Sequence, residues 1–123
     1  MKYTLDTGAL IGIERRDQRA VAFWRTAILH GIPLLAPTVA VAEWWRARSE
    51  VREIILGTLV IEPLDAVIAK MAGEAMAHIR RSTLADSVVM ASAARSGSVV
   101  LTSDFEDLER LRAHFPSVRV LEV

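Results

Sequence analysis

Residues 84–108, LADSVVMASAARSGSVVLTSDFEDL, decide how this chain folds. The stretch "STLADSVVMASAARSG" predicts a helix with Gly97 as its C-terminal stop, because glycine accepts the left-handed conformation that ends helices. The helix is apolar nearly all round, which predicts a central, buried position. Val99 to Thr102 follow as a short buried strand. The chain then crowds Asp104, Glu106 and Asp107 into four positions and enters another helix, from about Phe105 to His114. Helix, buried strand and helix in succession form the repeating unit of a parallel sheet. An acid at the exit of a buried strand has two explanations. It caps the next helix, and Ser103 with Glu106 would complete a capping box, or it belongs to a site.

Outward from this block the same grammar recurs. "KYTLDTGALIGI", residues 2–13, is a strand over 2–5 ending on Asp6, then a short helix from about Thr7 to Glu14. A longer helix runs from about Asp17 to His30, and Gly31 stops it. A second strand lies between Pro33 and Pro37, and Thr38 is an N-cap for the helix of "VAVAEWWRARSE". Residues 51–65 give a further helical turn or two, a break at Gly57 and a strand near 59–62. Asp65 caps a helix running to about Arg81, and a last strand covers 118–121. The expected fold class is α/β, a single domain over 1–123, with a short, mostly parallel central sheet and helices on both faces.

Bulk composition narrows the function. The 123 residues are 52% apolar, enough for one real core and too apolar for disorder. No run approaches the ~18 apolar residues of a membrane span, and "MKYTLD" does not read as a signal peptide. Cysteine is absent, which excludes disulfides and thiolate metal sites and fits a cytoplasmic location. Fifteen basic residues balance fifteen acidic ones, against a generic nucleic-acid coat. All the basic residues except Lys2 and Lys70 are Arg, whose rigid fork suits phosphate and carboxylate. His30, His78 and His114 belong to no motif and read as surface or capping residues.

Four acids stand where structure alone explains them incompletely. In doubly wound sheets the ligand crevice lies at the carboxyl ends of the strands. Asp6 follows the first strand directly, and Asp104 lies just beyond the strand at 99–102. Glu43 sits in a helix of almost wholly apolar neighbours, and Asp86 occupies the first turn of the buried helix. Capping and the helix dipole can account for Asp6, Asp86 and Asp104, but not for Glu43. A buried, unpaired carboxylate is expensive, and four converging would repel one another. A divalent cation removes that conflict, and Mg²⁺ and Mn²⁺ prefer hard oxygen ligands.

These residues resemble the PIN-domain ribonucleases, and in particular the VapC-type toxins of toxin–antitoxin pairs. The likeness rests on "LDTGALI", on the isolated Glu43 and on the block 84–108, and it covers essentially the whole chain. It implies that Asp6, Glu43, Asp86 and Asp104 hold Mg²⁺ or Mn²⁺, with Asp107 as an additional acid and Thr102 supporting the ligands, while Thr7 is the candidate to supply the hydroxyl beside Asp6 that the family takes from a Ser at the place of Gly8. It further implies metal-dependent endoribonuclease activity on RNA, inhibition by a cognate antitoxin, and assembly as a homodimer and as a toxin–antitoxin hetero-oligomer. The pattern departs from the family at Gly8, where a Ser is common. Arg46, Arg48, Arg80 and Arg81 flank the acids and are candidates for phosphate contacts. Trp44 and Trp45 are adjacent and cannot both face one core, so one belongs to an interface. A receiver domain would need paired acids and a suitably placed Lys. A haloacid-dehalogenase-type phosphotransferase would need D-x-D where this chain has Asp6-Thr7-Gly8. A dinucleotide-binding module would need a Gly-rich loop, and a DNA flap nuclease would need longer insertions. The alternative that keeps the fold is a binding or regulatory module without nuclease activity.

Overall fold

Apolar strands of three or four residues assemble one five-stranded sheet in the computed structural model, which describes residues 1–123. The strands are β1 (Tyr3–Leu5), β2 (Leu34–Pro37), β3 (Val60–Glu62), β4 (Val99–Thr102) and β5 (Val120–Glu122). Their order is β3-β2-β1-β4-β5, and every neighbouring pair is parallel. Tyr3 lies opposite Leu34 on one side and Val99 on the other. The expected mostly parallel sheet is therefore parallel throughout. The chain winds one way from β1 to β3 and the other way from β4 to β5. The switch point falls between β1 and β4, the place where such sheets open a crevice at their carboxyl ends.

Seven helices cover the sheet: α1 (Thr7–Glu14), α2 (Gln18–Leu29), α3 (Thr38–Trp45), α4 (Glu50–Leu56), α5 (Ala66–His78), α6 (Leu84–Ser96) and α7 (Phe105–Leu111). Alternation along the strands divides the core in two. Tyr3, Leu5, Leu34, Ala36 and Leu101 pack with residues of α1 to α4, including Leu10, Ala27, Trp44 and Ile55. Val100 and Val120 pack with α5, α6 and α7 through Ile68, Met90, Leu108 and Leu111. The central helix is α6, and every residue from Ser87 to Ala93 is buried. A parallel sheet must be covered on both faces, which is why so short a chain spends so many residues on helix.

Several boundaries differ from the sequence reading for local reasons. Thr38 is the first residue of α3, not its cap; Pro37 holds the cap position without a side-chain bond. The helix does not run on through residue 50. It stops at Trp45, and Arg46 takes φ 31° and ψ −50°, a break that no helix tolerates. Ser49 then starts α4 by accepting from the Arg52 amide at 3.1 Å. The helix α5 ends at His78 and α7 at Leu111, both short of the expected limits. Asp65 caps α5 as expected, accepting from Ile68 at 3.0 Å.

Gly97 ends α6 at φ 70°, with open space around the position of a side chain. A substitution there tests backbone conformation without a clash. Gly97→Ala is expected to cost about 1 kcal/mol, the scale of holding an L-residue left-handed, and Gly97→Asn less. Chemical denaturation of the two variants checks this.

Candidate functional site

The β1–β4 switch point sets the geometry. Asp6 follows β1 and caps α1, accepting from the Ala9 amide at 2.8 Å. Its carboxylate is 3% exposed and also accepts from the Thr102 hydroxyl at the end of β4. Thr102 in turn accepts from the Asp104 amide at 2.8 Å. One threonine thus ties the exits of two neighbouring strands together and holds Asp6 and Asp104 beside each other. Asp104 occupies the cap position of α7 but makes no capping bond, and the Ser103–Glu106 capping box does not form. The capping explanation fails for Asp104, and its carboxylate stays available.

The other two acids arrive from helices. The Glu43 carboxylate, on α3, accepts from the Thr7 hydroxyl at 2.7 Å. It is exposed, so the expected burial cost does not apply. Ala40 and Trp44 of the same helix face the core while Glu43 faces the cleft. Asp86 lies in the first turn of α6, half-buried, its amide donating to the capping hydroxyl of Thr83 at 3.1 Å. Asp6, Glu43, Asp86, Asp104 and Asp107 line one cleft of about 480 Å³, together with Thr7, Gly8, Arg46, Thr83 and Ser103.

Electrostatics within the cleft are unrelieved. Burial pushes Asp6 up from 3.8 to about 6, partly opposed by the bonds from Thr102 and Ala9, with the charges of Asp86 and Asp104 adding to the rise. Asp86 is also raised, first by burial and then, against the Thr83 hydroxyl, by the charges of Asp107, Asp104 and Glu43. Four ion pairs of the chain lie elsewhere, at Glu14–Arg52, Arg48–Glu53, Asp65–Arg95 and Glu109–Arg112, and the fifth joins Asp107 to Arg110. Asp107 is therefore the one cleft acid with a counter-charge, bound by Arg110 at 2.6 Å. As the side chains stand, no three acids close on a single point at ligand distance. The donor set nonetheless fits a hard divalent cation: carboxylate oxygens, no soft ligand, and four acids without a cation of their own.

The arginine candidates separate. Arg46 lines the cleft, its Nε donating to the Glu43 carbonyl at 3.3 Å and leaving the outer guanidinium nitrogens free. Arg48 turns to Glu53 at 3.9 Å. Arg80 and Arg81 are exposed on the turn before α6 and do not line the cleft. Trp44 is buried while Trp45 is half-exposed against it, edge-on at 5.8 Å, as adjacency required. His78 and His114 stack at 5.6 Å. The sequence reading missed Ser103, which lines the cleft from the loop between β4 and α7. A larger groove of about 680 Å³ lies between α1, α2 and α4, but its lining is mainly apolar and carries no convergent acids.

No family model matches the chain, and no curated protein does. Solved structures do match its fold. One is VapBC2 from Rickettsia felis bound to a DNA fragment from their promoter, 13% identical over 100% of this chain and 99% of that chain, with a TM-score of 0.80. A second is DNA-bound VapBC from Salmonella typhimurium, 18% identical over 99% and 98%, with a TM-score of 0.72. A third is FitAcB from Neisseria gonorrhoeae, 21% identical over 97% and 96%, with a TM-score of 0.69.

These findings correct two expectations. The assignment to PIN-domain ribonucleases of the VapC toxin type is withdrawn, and so is the PIN-like label on the fold. The neighbours are toxin–antitoxin complexes, two of them bound to DNA, and neither their names nor any family model identifies a PIN-domain nuclease. The physical reason is that strand-end acids at a switch point, one of them a helix cap, are open to any doubly wound parallel sheet and do not select one family. What stands is an α/β chain with a wholly parallel five-stranded sheet, sharing the fold of a chain in toxin–antitoxin complexes over essentially its full length.

Proposed function

We propose that the cleft between β1 and β4 holds a divalent cation, Mg²⁺ or Mn²⁺, and hydrolyses phosphodiester bonds of RNA, within a toxin–antitoxin pair. The observation that carries the reading is the cleft's charge balance. Asp6, Glu43, Asp86 and Asp104 share one crevice, and none has a basic partner. Asp6, Glu43, Asp86 and Asp104 would hold the cation, with Asp107 further out. Exposed Glu43 and Asp104 have room to swing between staggered rotamers toward it. When bound, the cation supplies an activated water and stabilises the charge that develops on the phosphate and the leaving oxygen.

The chain's own groups complete the work. Thr102 orients Asp6, and Thr7 orients Glu43. Arg46 offers its free guanidinium nitrogens to a phosphate that an acidic cleft would otherwise repel. The apolar groove of α1, α2 and α4, with Ile13, Val21, Trp24, Val51 and Ile54 on its walls, suits the apolar face of a partner protein of the pair.

A second reading follows from the neighbours bound to DNA: this chain would be the DNA-contacting, antitoxin side of such a pair. Against it stand a net charge of zero and an acidic strand-end face, where duplex binding calls for a basic stripe. One experiment separates the readings. The purified protein is incubated with total RNA in Mg²⁺ or Mn²⁺ against EDTA, and its retention of duplex DNA is measured in parallel. The nuclease reading predicts discrete, metal-dependent 5′ ends, reduced roughly 10²-fold or more by Asp86→Asn, the scale of removing one electrostatic group from an active site. Duplex retention without cleavage selects the antitoxin reading. Metal binding with neither cleavage nor DNA retention selects a binding module without nuclease activity.

A further inference from the structure

The hydroxyls around the cleft are almost all committed. Thr7 donates to Glu43, Thr83 accepts from the Asp86 amide, and Thr102 bonds both Asp6 and the Asp104 amide. Ser103 lines the cleft, is exposed, and spends its hydroxyl on no other group of the chain. Its position depends on Gly8. A side chain at residue 8 would set its Cβ only 1.9 Å from the Ser103 Oγ and 3.1 Å from the Ser103 Cβ. That is too close for any non-bonded pair, so Gly8 leaves a notch and the Ser103 hydroxyl fills it. The same notch opens toward Asp6, whose Oδ1 lies 3.5 Å from that Cβ position.

We infer that Ser103 is a substrate-binding residue, its hydroxyl donating to a phosphate oxygen of the scissile phosphodiester, with Gly8 acting as the positioning residue that keeps the notch clear. The inference rests on the phosphodiesterase reading above. Its chemistry follows from the cleft's make-up. Ionised carboxylates cannot donate a hydrogen bond to a phosphate, Thr7 and Thr102 spend their hydroxyl protons on Glu43 and Asp6, and Arg46 brings a charged donor to the same walls. The serine stands on the loop that also carries Asp104, so a phosphate it holds lies beside the proposed cation ligands.

The geometry supplies a discriminating exchange. The Ser103 Oγ lies little more than a covalent bond from the Cβ position of residue 8. In Gly8→Ser/Ser103→Gly the hydroxyl therefore reaches nearly the same point from the opposite wall. Single-turnover cleavage of a labelled RNA is measured in Mg²⁺ for the wild type, Ser103→Ala, Gly8→Ala and the exchanged double variant. Mn²⁺ affinity and melting temperature are followed for each. The expected result is a loss of about tenfold or more for Ser103→Ala and for Gly8→Ala, with recovery to within a few-fold in the double variant. Mn²⁺ affinity stays within about twofold for Ser103→Ala. A wild type that cuts, with Ser103→Ala cutting equally well, overturns the role of Ser103 and leaves the nuclease reading intact. Loss in Ser103→Ala without recovery in the exchanged variant overturns the shared-notch geometry. A wild type that binds Mn²⁺ but cuts no RNA overturns the nuclease reading and this inference with it.

Discussion

On the proposed nuclease reading, Asp6→Asn is expected to abolish RNA cleavage and, in chelator at neutral pH, to make the protein more stable. The two effects have one cause. Asp6 is 3% exposed, and burial lifts its carboxyl from 3.8 to about 6. For a carboxyl raised on folding, the protonated form is favoured by the folded state. Its contribution to stability is complete below pH 3.8 and is lost as pH rises through 6. At pH 7 the buried charge therefore opposes folding. Moving the pKa from 3.8 to about 6 corresponds to roughly 3 kcal/mol. Asparagine removes the charge and can still accept from Ala9. It cannot accept the Thr102 hydroxyl equally well, which returns about 1 kcal/mol. The net gain is about 1–2 kcal/mol, read as a rise of roughly 5 °C in melting temperature at pH 7.5 in EDTA. The gain vanishes below pH 4, where aspartate is already neutral. In excess Mn²⁺ the gain is offset, because the wild type, with its proposed ligand intact, is stabilised more by binding than the variant. Melting curves across pH, with and without metal, check all three statements.

Trp44→Ala is expected to cost about 3–5 kcal/mol, the range for deleting a buried aromatic side chain. Trp44 is 2% exposed and packs edge-on to Trp45. Its indole N–H donates to Glu14 Oε1 at 2.8 Å, and Glu14 is also held by Arg52 at 2.9 and 3.1 Å. The side chain thus locks α3 to α1 and, through Arg52, to α4. The same helix presents Glu43 one residue earlier, so the proposed activity is expected to fall with stability. Trp44→Phe separates the contributions. It keeps most of the packing, loses the donor to Glu14, and is expected to cost about 1 kcal/mol. Urea denaturation of both variants, with equal slopes, measures the difference.

Hydrophobic runs and stop signals made most of the fold legible in the sequence. Short apolar strands bounded by Pro and Gly, with Asp17, Asp65 and Gly97 at helix ends, place the elements within a few residues. Strand order is not written in such local signals. It emerges from how the helices cover both faces, and it is what brings β1 beside β4 and Asp6 beside Asp104. The break at Arg46 was invisible because nothing in "WWRARSE" disfavours a helix; the chain turns there to carry α4 across α1. The acids themselves were readable as residues out of place. For Glu43 the reason was wrong: it is exposed to the cleft, not buried among its neighbours. Ser103 was unreadable, since its significance comes from the absent side chain of Gly8, ninety-five positions away in the chain. The family resemblance outran the residues that carried it, because acids at strand ends mark a place in a fold and not an ancestry.

The proposed function stands on four carboxylates without counter-ions, Asp6, Glu43, Asp86 and Asp104, forming one divalent-cation site. Electron paramagnetic resonance of Mn²⁺ titrated into the protein tests it directly, with Asp6→Asn, Glu43→Gln, Asp86→Asn and Asp104→Asn measured alongside. Saturable binding by the wild type is expected, with a loss of about tenfold or more in affinity in each variant, the scale seen even when groups behind the ligands are removed. No saturable binding by the folded wild type, or binding that survives all four substitutions, would contradict it.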